Sequence, residues 1–213
     1  MIPEAKPVHA TGAIGHGFAD PVQEAQAAFR TCLTAMSRPG LPQRLTGPNE
    51  LPRGLYPTTA AVLLALADFE TPVWLDGAAR ADAAIGEYVR FQRSSPIVDD
   101  KNSAAFALIT DVASMSALEA FAQGSLQYPD RSTTLLIQVA AFRNQGLTFE
   151  GPGVNGTIQF QPEPMPHAFE TQLTANRSAF PCGVDLIFAT SSHIACLPRS
   201  SRLADREVAC TSR

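Results

Sequence analysis

Apolar residues recur at three- and four-residue steps over 20–40, DPVQEAQAAFRTCLTAMSRPG, as Val22, Ala25, Phe29, Leu33 and Met36. That spacing predicts one helix with a single apolar stripe laid on a core. Asp20 suits the N-cap, Pro21 the first helical position and Gln23 the return position of a capping box, while Pro39-Gly40 stops the helix. Over 58–68, TTAAVLLALAD, the pattern is apolar on nearly every side and predicts a buried helix. Val73-Trp74-Leu75 follows the Thr71-Pro72 turn as a short strand. A third helix is expected over 82–93, with Ile85, Tyr88, Val89 and Gln92 on one side and Gly86 weakening it slightly.

Farther on the period shortens. Residues 105–110 (AFALIT) and 133–140 (TTLLIQVA) read as buried strands. Between them Ser116-Ala-Leu-Glu119 has capping-box form and predicts a helix to Gln123, stopped by Gly124. Strand, helix and strand with short links predict a parallel βαβ unit. Strand-like segments at 147–150 and 157–160, a helix over 166–176 with Phe169 and Leu173 on one face, and adjacent strands over 184–190 and 193–197 complete the pattern. The expected architecture is α/β: one mixed-sheet domain over 19–213, preceded by a loose Pro/Gly/Ala/His arm over 1–18.

Composition narrows the function. With 213 residues, 45% hydrophobic and 17% charged, the chain has ample material for one core. A net charge of −4 disfavours a general nucleic-acid binder, which needs a basic surface. Of 16 basic residues only Lys6 and Lys101 are lysines, which leaves 14 arginines whose planar forks suit carboxylate or phosphate. The apolar run 60–67 is too short to span a bilayer, and the N-terminus lacks a signal-type apolar segment, so a cytoplasmic protein with no membrane partner is expected.

The motifs give little self-sufficient chemistry. Gly151-Pro-Gly-Val-Asn-Gly156 spells a dinucleotide fingerprint, but strand-like residues follow it where a helix must open, so it reads as a link between two strands. His193 and Cys196 lie three apart on a strand and point to opposite faces, which excludes joint chelation. Lys6 in the arm and Lys101 in a polar loop are expected to be solvated, so neither suits a pyridoxal Schiff base. Cys32 is expected to be a small buried hydrophobe. Asp185 in an apolar strand requires a partner, and an arginine is expected. Asp130 and Arg131 ahead of a central strand, with Arg199 and Arg202 after the last one, form a candidate anion site. No catalytic residue, cofactor or metal ligand is assigned.

An ordered set of blocks resembles the PhnH family, a subunit of the bacterial carbon–phosphorus lyase core complex. The blocks are Pro21-Val-Gln-Glu-Ala-Gln26, Ala35-Met-Ser-Arg-Pro-Gly40, Leu63-Leu-Ala-Leu-Ala-Asp68 with Glu70-Thr-Pro-Val-Trp-Leu75, Thr133-Thr-Leu-Leu-Ile-Gln-Val-Ala140, Phe180-Pro-Cys-Gly-Val-Asp-Leu186 and Leu197-Pro-Arg-Ser200. The chain departs from that family in a longer N-terminal arm and in Gln92-Arg93, where the family tends to carry His-Thr, which argues against essential chemistry there. The resemblance implies a three-layer fold similar to the large domain of pyridoxal-phosphate-dependent transferases, without the cofactor site. It further implies an accessory subunit of the assembly that forms ribose 1-phosphonate 5-triphosphate from ATP and phosphonate before the C–P bond is cleaved. The implied partners are the other core subunits, with a homodimer when the chain is isolated. The alternative is a standalone binder or transferase for phosphorylated small molecules, using Asp130, Arg131, Arg199 and Arg202. A pyridoxal enzyme would rest on fold analogy alone.

Overall fold

Strands buried on both faces alternate their side chains between two cores, and this alternation sets the layers of the protein. A computed structural model describes residues 15–204. In chain order its elements are α1 (Pro21–Ser37), β1 (Gln43–Arg44), α2 (Pro57–Leu66), β2 (Val73–Leu75), α3 (Gly77–Ala81), α4 (Ala83–Arg93), β3 (Ile97–Val98), β4 (Phe106–Ile109), β5 (Thr134–Gln138), β6 (Ala141–Glu150), β7 (Ile158–Glu163), α5 (Phe169–Ser178), β8 (Asp185–Ala189), β9 (His193–Leu197) and β10 (Arg202–Leu203). Seven strands form a mixed sheet in the order β1-β9-β8-β5-β4-β2-β3. β3, β2, β4, β5 and β8 run parallel, and β9 is antiparallel to both of its neighbours.

Leu108, Leu136, Ile187, Ile194 and Cys196 point to one face of this sheet and meet α1, α2 and α4. Ala107, Ile109, Leu135, Ile137, Leu186, Phe188 and Leu197 point to the other. That second face is covered by α5 and by a separate three-stranded antiparallel sheet in the order β10-β6-β7. The expectation of one sheet is therefore corrected to two. The segment 147–150 is only the end of a ten-residue strand that starts at Ala141, just after β5, and bulges between Arg143 and Leu147. Phe160 joins the two sheets, with ring centroids 5.9 Å from Phe188 and 6.4 Å from Phe149. Such tilted pairs contribute about 1 kcal/mol each beyond area burial.

The helix expected over 116–123 is a 3-10 turn, Leu118–Ala120, with no side-chain cap. A segment that short cannot sustain an α-helix alone. Tertiary bonds take its polar groups instead: Leu118 N–H donates to Gln172 Oε1 at 2.8 Å, and Gln123 Nε2 donates back to the carbonyls of Leu118 and Phe121, both at 2.8 Å. The crossover thus lacks its α-helix, although β4 and β5 pair in parallel as expected.

The arm expected over 1–18 lies outside the described residues up to residue 14. Its last part is held on the domain: His16 N–H donates to the Glu50 carbonyl at 2.9 Å, Tyr88 Oη donates to the His16 carbonyl at 3.0 Å, and Phe18 packs against the α1/α2/α4 core. Among the described residues no helix is long and apolar enough to cross a membrane.

Candidate functional site

In an open α/β sheet the usual ligand crevice lies beyond the carboxyl ends of the strands, where successive connections diverge. Here that place is between β2, whose chain leads outward to β3, and β4, whose chain leads the other way to β5. Asp76 stands there immediately after β2, 3% exposed. Its carboxylate accepts from Ala79 N at 2.7 Å, Thr110 N at 2.6 Å, Thr110 Oγ1 at 2.9 Å and Asp111 N at 2.8 Å. One buried acid thus caps α3 and ties together the ends of β2 and β4. At the end of β5, Gln138 donates to the Gly54 carbonyl and accepts from Tyr56 N, both at 2.7 Å. At the end of β8, the Thr190 carbonyl accepts from Thr58 Oγ1. The chain's own segments occupy the carboxyl end of the sheet.

The residues singled out for anion binding fall near the opposite rim. Arg199 serves Asp185, the partner that this buried acid requires: Arg199 N and Nε donate to Asp185 Oδ1 at 2.8 and 3.2 Å, and Nη2 donates to Oδ2. The same guanidinium donates to the Pro129 carbonyl at 2.6 Å and to Ser132 Oγ. It therefore fastens the 129–132 turn to the start of β8. Arg131 leaves that turn with its Cζ 4.2 Å from the Tyr128 ring centroid, and Asp130 is exposed beside it. Arg202 lies apart on β10 and pairs with Glu150 on β6 at 2.8 Å. The structure unites Arg199 with the turn that bears Asp130 and Arg131, and leaves Arg202 on the small sheet.

The remaining motifs resolve structurally. Gly151–Gly156 links antiparallel β6 and β7. Gly153 has φ +83°, and a Cβ there would stand 2.1 Å from the Ser37 carbonyl oxygen, so glycine lets this loop reach the end of α1. On β9, Cys196 is fully buried and His193 half-buried, with Nδ1 2.9 Å from Ser192 Oγ. Burial pushes the Cys32 thiol up to about 12 and holds the Cys196 thiol well above its ordinary range, so both are poor nucleophiles. Lys101 departs from expectation. It is half-buried, its Nζ donates to Ser116 Oγ at 2.7 Å, and it lies 5.2 Å from the Trp74 and 5.9 Å from the Phe121 ring centroid. Local sequence could not foretell this, because both rings come from distant segments. Among the described residues no group of three or more His, Cys, Asp and Glu side chains is placed to hold a metal ion.

α1 gives the main reversal. Its N-terminus forms as expected, with Asp20 Oδ1 accepting from Val22 N and Gln23 N, although Glu24 rather than Gln23 reaches back to the Asp20 N–H. Three of the five residues of the predicted core stripe, however, face outward: Val22 is 77%, Leu33 54% and Phe29 45% exposed, whereas Ala25 is half-buried and Met36 packs on the core as expected. Ala28, Cys32 and Ala35 form the buried face. These small side chains let α1 sit close against α2, whose Ala60 and Ala61 are also buried, and against β9. Past the helix, Leu41 is exposed between two grooves of about 350 and 240 Å³, and both are lined also by Ile158 of β7.

These features define a layered, mixed α/β protein with a closed sheet end and an unpartnered apolar helix face. The chain belongs to the PhnH family: residues 16–204 match the family model described as bacterial phosphonate metabolism protein (PhnH). It is 37% identical over 187 residues to the alpha-D-ribose 1-methylphosphonate 5-triphosphate synthase subunit PhnH of Rhizobium meliloti (strain 1021), covering 87% of this chain and 93% of that relative.

Proposed function

We propose that this chain is an accessory, non-catalytic subunit of the carbon–phosphorus lyase core complex, acting where ribose 1-phosphonate 5-triphosphate is formed from ATP and phosphonate. Its work is to dock, and the exposed face of α1 is the surface it docks with. The observation that carries this reading is that Val22, Phe29 and Leu33 are exposed on a helix whose opposite face is fully packed. A solvent-facing stripe of three large apolar side chains costs solubility and is characteristic of an interaction site. The relative's name, a synthase subunit, agrees with it. So does the closure of the sheet's carboxyl end by Asp76 and Gln138.

The whole chain is then one PhnH-like domain over 19–213 behind an arm over 1–18, homodimeric when isolated and hetero-oligomeric with the other core subunits. We read the fold as similar to the large domain of pyridoxal-phosphate-dependent transferases without the cofactor site. A seven-stranded mixed sheet between two layers is consistent with that likeness. The alternative, a standalone binder of phosphorylated small molecules through Asp130, Arg131, Arg199 and Arg202, has less support, because Arg199 and Arg202 already hold Asp185 and Glu150.

Co-expression with the other core subunits tests the proposal. The expected result is a complex of fixed stoichiometry containing this chain. A chain that purifies alone, or that turns over or binds nucleotides and phosphonates at micromolar concentration by calorimetry, would overturn it.

A further inference from the structure

Four arginines among the described residues have carboxylate partners: Arg80 with Asp99, Arg143 with Glu163, Arg199 with Asp185 and Arg202 with Glu150. Arg131 and Arg177 have none. Each lies instead over an aromatic ring, Arg131 Cζ at 4.2 Å from the Tyr128 centroid and Arg177 Cζ at 4.7 Å from the Phe180 centroid. The rings themselves are exposed, as is Leu126 at 81%.

The fold gathers these residues on one rim. The stretch bearing Leu126, Tyr128 and Arg131 leads into β5, and that bearing Arg177 and Phe180 leads into β8, its direct neighbour. Gly183 N–H donates to the Gln123 carbonyl at 2.9 Å, and Arg199 fastens the Pro129 carbonyl to Asp185. Reciprocal 3.1 Å bonds between the N–H and carbonyl groups of Ser125 and Tyr128 close a tight turn with Leu126 at its tip. α5, which carries Arg177, packs in the layer opposite α1, so the rim is separate from the α1 face.

We propose that this rim is a second docking surface and that it takes an acidic segment of a partner subunit, with carboxylates on Arg131 and Arg177 and an apolar side chain on Leu126. The inference rests on the subunit reading and adds a second contact to it. A guanidinium stacked on a ring is desolvated on one face and restricted in rotamer while its fork stays open, which lowers the entropy lost in holding a carboxylate bidentately. Tyr, Phe and Arg around an exposed apolar anchor match the composition of interface hot spots. Asp130 beside Arg131 keeps the local positive charge low. That suits a few spaced carboxylates better than the concentrated charge of a polyphosphate.

The test is a photo-crosslinking residue, p-benzoylphenylalanine, at Leu126 in the full chain co-expressed with the other core subunits. The expected product joins this chain to an Asp/Glu-rich segment of another subunit. Replacing both arginines (Arg131→Glu, Arg177→Glu) should lower its yield about tenfold or more, with the thermal midpoint of the isolated chain nearly unchanged. A crosslink to a second copy of this chain, to a segment without acidic residues, or one competed away by millimolar inorganic triphosphate would overturn the inference. So would undiminished yield in the double variant, or no crosslink in a complex that otherwise assembles. Failure of the native chain to assemble at all would overturn the subunit reading itself, and this inference with it.

Discussion

The carboxylate of Asp185 and the guanidinium of Arg199 form one ion pair, supplemented by a 2.8 Å bond from Arg199 N–H to Asp185 Oδ1. Both side chains are largely buried, at 15% and 14% exposure. The pair fixes the start of β8 and, through the Pro129 carbonyl and Ser132, the approach to β5.

Breaking that pair from one side leaves a buried charge without its counterion. Arg199→Ala should cost about 3–5 kcal/mol of unfolding free energy. The double replacement Asp185→Leu with Arg199→Met should cost clearly less than Arg199→Ala alone. Urea denaturation of the three proteins measures both; equal stability of Arg199→Ala and the native chain would remove the structural role assigned here.

Asp76 is expected to be harder to replace. Asp76→Ala would leave the N–H groups of Ala79, Thr110 and Asp111 without their acceptor, at about 1–3 kcal/mol for each that water cannot reach. Loss of several kcal/mol in thermal or chemical melts is the expected outcome, with amide exchange at Thr110 and Asp111 accelerated first.

The two faces of α1 should respond in opposite ways. Leu33→Asp and Phe29→Asp change exposed positions and should leave stability within about 1 kcal/mol while abolishing co-purification with partner subunits. Ala28→Asp places a charge on the buried face and should unfold the isolated chain. Thermal melts paired with co-expression pull-downs separate these effects, and intact assembly with Leu33→Asp would exclude this face as the contact.

Alkaline pH should destabilise the fold through its thiols. The Cys32 thiol rises from an ordinary value of 9.0 to about 12 because burial disfavours the thiolate. Below pH 9 folded and unfolded chains are both protonated there, and the full stability is present. Above it the unfolded chain releases a proton that the folded chain keeps, so stability falls by roughly 1.4 kcal/mol per pH unit until about pH 12. Cys196 adds to the loss in the same direction, and Tyr88, raised from 10.0 to about 12 by burial, adds from pH 10 upward. Cys32→Ala should flatten the slope of stability against pH above 9; an unchanged slope would mean that the thiolate is accommodated in the fold.

Much of this was legible along the chain. Strand runs such as Leu135-Leu136-Ile137 and Leu186-Ile187-Phe188 announce two-sided burial, since only a covered sheet accepts consecutive large apolar residues. The cap at Asp20 and the Gly-rich link after Glu150 are local devices, and they form where local chemistry puts them. The need of Asp185 for a cation was also plain, because a carboxylate in an apolar strand has no cheap alternative.

What the sequence by itself determined is the α/β class, the long helices, seven of the ten strands at least in part, and the demand for a partner at Asp185; the two-residue strands β1, β3 and β10 carry no local signal. Only the tertiary structure decided which face of α1 is buried. Helical period marks both the Val22/Phe29/Leu33 stripe and the Ala28/Cys32/Ala35 stripe, and close approach of α1 to α2 and β9 selected the small residues. Tertiary structure alone also split the strands into two sheets, committed Arg199 to Asp185, and drew Lys101 onto Trp74 and Phe121. Each of these joins groups far apart in sequence, and neither period nor propensity carries information at that range.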